Sequence, residues 1–487
     1  MVFNSLQFLL FFPVVTVLYF LASARYRWML LLAASCAFYM AFIPSYILIL
    51  LLTIVIDYAA GIRIEASTGR VRKAFLIGSI LSTCAVLFLF KYFDFFAANV
   101  SGLAHVLGWN YSLRSLGIIL PIGLSFHTFQ SLSYVVEVYL GRQKAEKHFG
   151  IYALYVMFYP QLVAGPIERP QNLLHQFREV KTFDSDRVAQ GLKLMLFGLF
   201  KKVVIADRFA VFVDKAYGMP SNFSGFALLL ATFLFAFQIY CDFSGYSDIA
   251  RGAAKVMGFD LMKNFNHPYS SRSIAEFWTR WHISLSTWFK DYVYIPLGGN
   301  RQGRWKWYRN LFVTFLISGA WHGANWTYLI WGGLNGGYLL IGIMGKGLRQ
   351  RTWRILGLDR RPFLAGTISV TGTFVLISIA WVFFRANSLV EAVLIFRSMG
   401  GFLVSLAGGH LPEGALIPPQ LPQIDLAIDL ALIVLLELIQ FLQRRGFAPC
   451  FMVSAPVTLR WATYYAVLAV IALLGEFGSS RFIYFQF

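Results

Sequence analysis

Two histidines, each preceded by a tryptophan and set 40 positions apart, carry the residue pattern in this chain best suited to proton transfer: Trp281-His282 and Trp321-His322. A neutral imidazole can take a proton from a hydroxyl and return it to a leaving group, the two events that acyl transfer from a thioester to an alcohol requires. No nucleophile elbow of the GxSxG kind occurs, so direct attack by an acceptor hydroxyl is the simpler mechanism. One aromatic-flanked histidine is ordinarily structural. Two such pairs, both beside apolar chain, suggest a single site.

The element that must position His322 is unusual. From Asn310 to Gly345 there is no Asp, Glu, Lys or Arg, a stretch well beyond the roughly 20 residues that cross a bilayer. Gly319 and Gly323 flank the histidine and predict a break there, since glycine tolerates backbone geometry that other residues resist. Arg301, Arg304, Lys306 and Arg309 precede the stretch and Lys346, Arg349 and Arg351 follow it. The positive-inside rule puts both ends in the cytoplasm, so the segment goes in and comes back. A helix from Asn310 to Ser318 would rise only about 13 Å of a core roughly 30 Å thick, leaving His322 inside the membrane. An ionisable group at that depth is functional by default; the plain alternative is a packing histidine hydrogen-bonded to a neighbouring helix.

Composition sets the class. With 58% hydrophobic and 13% charged residues and a mean hydropathy of +0.63, the chain is an all-α polytopic membrane protein and neither soluble nor disordered. Its net charge of +19 is scattered through short loops that orient helices, so no nucleic acid is expected. Cys36, Cys84, Cys241 and Cys450 have no CxxC spacing and predict neither a metal site nor a disulfide framework. Met1 to Phe20 has no basic n-region and reads as a retained first helix. Arg25 and Arg27 make the next loop cytoplasmic, and the loops Arg63 to Lys73 and Arg142 to Lys147 fall on the same side. Further apolar runs near 151 to 166, 226 to 241, 311 to 345, 366 to 384, 424 to 442 and 461 to 475 bring the expected total to about ten or eleven membrane helices. Phe183 to Tyr217 is amphipathic, with Lys193, Lys201, Lys202, Asp207, Arg208, Asp214 and Lys215 among apolar residues, as for a helix along the cytoplasmic interface or, equally on pattern alone, an ordinary helix with one solvated face. No internal repeat is evident, and residues 1–487 read as one membrane domain.

Several short motifs, in order, resemble the membrane-bound O-acyltransferase (MBOAT) superfamily and its bacterial branch that includes the alginate O-acetyltransferase membrane subunit. They are Pro160 to Ile167 (PQLVAGPI), Gln238 to Ala250 (QIYCDFSGYSDIA), Trp281-His282 through Asn300-Arg301, and Ser318 to Gly323. The resemblance covers nearly the whole chain. It implies a helical bundle with a conical membrane funnel and re-entrant segments, an essential histidine matching His322 and a second polar position matching His282. Many eukaryotic relatives carry asparagine at that second position, so a supporting role suits His282. The resemblance further implies that no cofactor is bound and that acetyl-CoA or another acyl thioester is the cytoplasmic donor. A periplasmic or extracellular SGNH-type acetyltransferase would be the partner, with the protein itself in the bacterial cytoplasmic (inner) membrane. The product would be an O-acetylated envelope or secreted polysaccharide; D-alanylation of teichoic acid is the alternative within the family. A transporter or flippase would more often show repeats and charges in several spans.

Asp242, Ser244, Tyr246 and Asn325 are candidates for lining a donor or acyl path. For the segment Asp242 to Asp248 a buried hydrogen-bond network between helices is the competing reading. Arg280 and Asp291 are expected to form a structural ion pair. The aromatic tail Phe482-Ile483-Tyr484-Phe485-Gln486-Phe487 reads either as an interfacial anchor or, by the same resemblance, as an acyl relay through the Tyr484 hydroxyl. The basic loops Arg301 to Arg309 and Lys346 to Arg354 would draw an anionic donor.

Overall fold

A computed structural model describes residues 1–409, 422–447, 455–477 and 482. Among them the secondary structure is helical, without strands: α1 (Leu6–Leu21), α2 (Arg27–Met40), α3 (Ile47–Ala66), α4 (Gly69–Leu87), α5 (Phe93–Val106), α6 (Leu124–Tyr139), α7 (Phe149–Met157), α8 (Ser185–Leu199), α9 (Asp207–Gly218) and α10 (Gly225–Met257). There follow α11 (Ile274–Arg280), α12 (Ile283–Phe289), α13 (Arg304–His322), α14 (Trp326–Met344), α15 (Lys346–Ile355), α16 (Pro362–Arg385), α17 (Leu389–Ala407), α18 (Gln423–Arg444) and α19 (Val457–Leu474). Two π-helical segments, Phe88–Tyr92 and Phe200–Ala206, interrupt otherwise continuous helix, and a third, Lys290–Tyr294, ends α12.

Among the described residues six helices are long and apolar enough to cross a membrane: Pro44–Ala66, Gly69–Val106, Gly225–Met257, Pro362–Arg385, Leu389–Ala407 and Val457–Leu474. The chain is a multi-pass membrane protein. Apolar runs such as 311 to 345 and 424 to 442 fall outside these six because α14 is rich in glycine and α18 carries Asp425, Asp429 and Glu437. The window of α10 that could span is 78% buried inside the protein, whereas that of α19 is 6% buried, so α10 is the central pillar and α19 lies at the rim. Ser224 starts α10 by accepting a hydrogen bond from the Ala227 N–H, and Gly258, at φ +97°, ends it in the left-handed conformation that glycine adopts without penalty.

The segment from Ser185 to Gly218 departs from the expected interfacial helix. α8 runs against α10 with reciprocal glycine contacts. A methyl group on Gly198 would lie 2.6 Å from the Gly245 carbonyl oxygen, and one on Gly191 would lie 2.7 Å from that of Gly252. Only glycine permits so close a backbone approach, which is how helices associate where lipid supplies no hydrophobic drive. Lys201 and Lys202, expected at a surface, are buried. Amphipathicity here records buried carboxylate partners and not water.

The uncharged stretch does fold back on itself as an α13–α14 hairpin, but the turn is later than expected. α13 continues through Gly319 to His322, and the turn is Gly323 to Asn325. Gly319 is needed for proximity: a methyl there would lie 2.3 Å from the Tyr328 carbonyl oxygen and 3.1 Å from Gly332 Cα on α14. Counted from Asn310, α13 carries His322 about 18 Å along its axis.

Candidate active site

His322 is the last residue of α13. Its ring sits 4.8 Å from that of Trp321, 4.9 Å from Trp331 on α14 and 5.2 Å from Phe384 on α16. Behind it Trp281, Trp331 and Trp381, all fully buried, form a wall: Trp331 and Trp381 stack at 6.0 Å and Trp281 tilts onto Trp381 at 5.1 Å. The wall is pinned through Trp381, whose indole N–H donates to the Tyr269 hydroxyl at 3.2 Å, and Tyr269 donates in turn to the Ala236 carbonyl of α10 at 2.6 Å. Such buried aromatics fix an imidazole more tightly than aliphatic side chains could, because their edges and faces prefer particular angles.

In front of His322 is a cavity of about 320 Å³, lined by Lys91, Trp321, His322, the segment 118–126 and Val163. Its wall therefore combines the α13 terminus with the chain that leads into α6. Lys91, from the π-helical segment Phe88–Tyr92, donates through Nζ to the carbonyls of Trp321 at 2.7 Å and His322 at 3.1 Å. The neighbouring Tyr92 hydroxyl donates to the Ala320 carbonyl at 3.0 Å.

His282 lies on the far side of Phe126, whose ring is 6.1 Å from His282 and 5.6 Å from Trp321. The two Trp-His pairs thus converge on the Phe126 ring. His282 opens α12 with φ 42° and ψ 57°, a left-handed conformation that few residues other than glycine adopt and that Asn, Asp and His tolerate best. Asn264 holds the turn: its carbonyl accepts from the Ile283 N–H at 2.9 Å and its side-chain oxygen from the Ser284 N–H at 3.2 Å. The imidazole then packs edge-on to Phe243 of α10 at 4.5 Å.

The other sequence candidates are placed differently. Asp242 pairs with Lys202 at 2.7 Å, and Ser244 accepts from Lys201 at 2.9 Å, both lysines coming from the π-helical segment Phe200–Ala206 that follows α8. The Tyr246 ring packs on Phe3 at 4.5 Å and on Phe482 at 4.7 Å. Asn325 caps α14 by accepting from the Thr327 N–H at 3.1 Å and donates to the Asn387 carbonyl at 2.9 Å. None of the four lines the cavity. The expected Arg280–Asp291 pair does not form: Arg280 pairs with Glu276 at 2.6 Å on its own helix, and Asp291 with Arg169 at 3.2 Å. Tyr484 lies outside the described residues.

The pattern of the membrane-bound O-acyltransferase family matches residues 147–384, which include both histidines. A probable alginate O-acetylase, AlgI, of Pseudomonas aeruginosa is 41% identical over 406 residues, covering 82% of this chain and 75% of that protein. A peptidoglycan O-acetyltransferase of Helicobacter pylori is 35% identical over 436 residues, covering 82% and 80% respectively. The chain belongs to the membrane-bound O-acyltransferase family. A teichoic acid D-alanyltransferase of Streptococcus thermophilus stands further off, 26% identical over 286 residues and covering 52% of this chain and 68% of its own.

As an MBOAT acyltransferase, the protein draws part of its candidate site from outside the matched region. Lys91, Tyr92 and Phe126 all precede residue 147, and the histidine motifs alone do not point to them. A signal for Lys91 was nevertheless present: a single cation in the run Leu87-Phe88-Leu89-Phe90-Lys91-Tyr92-Phe93, where an isolated charge is costly and usually functional. Phe126 and Trp331 carry no comparable signal, because aromatics abound throughout this sequence.

The left-handed backbone at His282 yields a test of its role. His282→Asn keeps a polar side chain that accepts this conformation, and its turnover should fall by less than the roughly 10²-fold that marks loss of a general base. His282→Val meets the same backbone with a β-branched side chain and should lose about 1–2 kcal/mol or more of stability. Steady-state turnover and thermal melts in detergent distinguish the two. A loss of activity in His282→Asn as deep as in His322→Ala would make His282 a partner in proton transfer and not a support.

Proposed function

We propose that this acyltransferase is an O-acetyltransferase of the bacterial inner membrane, taking an acetyl group from a cytoplasmic thioester and delivering it across the membrane for O-acetylation of an envelope or secreted polysaccharide. The observation that carries the reading is His322 at the wall of a cavity large enough for an acyl group, with His282 and Lys91 close by. In this reading His322 takes the proton of the attacking hydroxyl as the new C–O bond forms. It then returns the proton to the thiolate as the C–S bond breaks, leaving an ester and a free thiol. Acetyl transfer is favoured over D-alanyl transfer by the relatives: those named for O-acetylation are 35–41% identical, against 26–28% for those named for D-alanyl transfer.

The first hydroxyl to accept is that of Tyr484 in this reading. Phe482, two positions earlier, is buried against Tyr246 and lies 6.1 Å from Phe243, the residue on which His282 packs. A hydroxyl on a short tether meets a base at high effective concentration. Phe3 shares the Tyr246 ring with Phe482; the charge rule puts both chain ends on the outer face, where a partner of the SGNH type would collect the group. Mass spectrometry of the C-terminal peptide after incubation with acetyl-CoA should find an acetyl group on Tyr484 in the wild type and none in His322→Ala. Tyr484→Phe should abolish acetylation of the polysaccharide. Full acetylation by that variant would reduce the tail to an anchor.

A further inference from the structure

We propose that Lys91 is a positioning residue for acyl transfer, holding the His322 imidazole in register with the cavity; this deepens the reading of His322 as the base and rests on it. The starting point is a mismatch of cost and surroundings. Lys91 lies within the membrane-length helix Gly69–Val106, where a cation is expensive and normally compensated. No carboxylate among the described residues pairs with it. Its compensation is a helix end.

The last carbonyls of any α-helix lack intrahelical donors and together carry about half a negative charge. Those at the end of α13 are the very ones that bracket His322, and three in succession are taken from one direction: Ala320 by Tyr92, then Trp321 and His322 by Lys91. Lys91 also lies over the Trp321 ring, 5.6 Å from its centre, a cation–π contact that fixes the residue preceding the histidine. The donors come from the π-helical segment Phe88–Tyr92, the kind of irregular turn that recurs at functional positions in helices. Residues 323–325 leave the helix just beyond, so these bonds hold the terminal turn that bears His322 where the helix ends. Lys91 and His322 line the same cavity, and the ammonium therefore sets the place of the imidazole relative to anything bound there.

The experiment measures kcat and KM separately for acetyl transfer from acetyl-CoA by the full-length protein in detergent or proteoliposomes. Lys91→Met, similar in length but unable to donate, should lower kcat by about 10- to 100-fold, as misplacement of a reacting group by about 1 Å does, with KM within about twofold. Lys91→Arg, which can still donate to both carbonyls, should recover turnover to within about fivefold of wild type. Melting temperatures should match throughout, and Lys91→Met should add nothing to the loss already caused by His322→Ala. Wild-type kcat in Lys91→Met, equal losses in the Met and Arg variants, a loss tracking a lowered melting temperature, or additivity with His322→Ala would each overturn the assignment. Turnover retained by His322→Ala alone would overturn the underlying reading instead, and is seen without any Lys91 variant.

Discussion

His322→Ala is expected to lower acetyl transfer by about 10²- to 10⁴-fold, the range over which a positioned general base contributes, while the protein still folds. The imidazole touches the rings of Trp321, Trp331 and Phe384, and the tryptophan wall behind it has supports that do not pass through it. Trp381 is hydrogen-bonded to Tyr269, and Lys91 and Tyr92 bind main-chain carbonyls that alanine retains. The substitution thus removes the proton acceptor and leaves the frame. His322→Gln is the stricter control, keeping a polar side chain of similar reach without a titratable ring, and should be as inactive as alanine. Radiolabelled acetyl-CoA gives the rate and a thermal melt gives the folded fraction. Near wild-type turnover in both variants would remove His322 from the chemistry, and a collapse of the melt in both would make it the packing residue that its surroundings also allow.

What the sequence made legible was local. The Trp-His pairs, the uncharged hairpin and the all-helical class follow from runs of neighbouring residues, and the structure has all three. Interactions between distant segments were hidden. The Lys91 bonds to α13 join positions 230 and 231 residues apart, and no periodicity announces them. Gly319 was visible as a glycine, but sequence cannot tell a residue that bends the chain from one that lets another helix approach, and here it does the latter. The amphipathic stretch Phe183 to Tyr217 is ambiguous for a similar reason. A polar face shows that charges need partners without saying whether the partner is water or another helix. Asp242 and Asp248 lie some forty residues further along, within a run that reads as nearly continuous apolar helix.

That hidden network supports the second large prediction. Lys202 lies 2.7 Å from both Asp207 and Asp242, with the side chains of all three 6% exposed or less. Lys201 beside it pairs with Asp248 at 2.6 Å. Removing one member of a buried ion pair strands the other and costs about 3–5 kcal/mol, a large part of the 5–15 kcal/mol by which proteins are typically stable. Lys202→Met is therefore expected to lower the melting temperature sharply or to prevent recovery of folded protein. Asp242→Asn is milder. Lys202 keeps Asp207, the amide is nearly the size of the carboxylate, and the cost should be about 1.5–3 kcal/mol, that of a hydrogen bond to a charged group. The pair of variants also separates the two readings of Asp242. If it serves the α8–α10 packing that the glycine contacts bring about, Asp242→Asn will lose stability first and retain the turnover of whatever protein stays folded. If it lines a path for the acyl group or its donor, Asp242→Asn will melt as the wild type does and turn over slowly. Its position away from the cavity, and beside two buried lysines that need anions, favours the first outcome: a falling melting temperature with kcat per folded molecule unchanged.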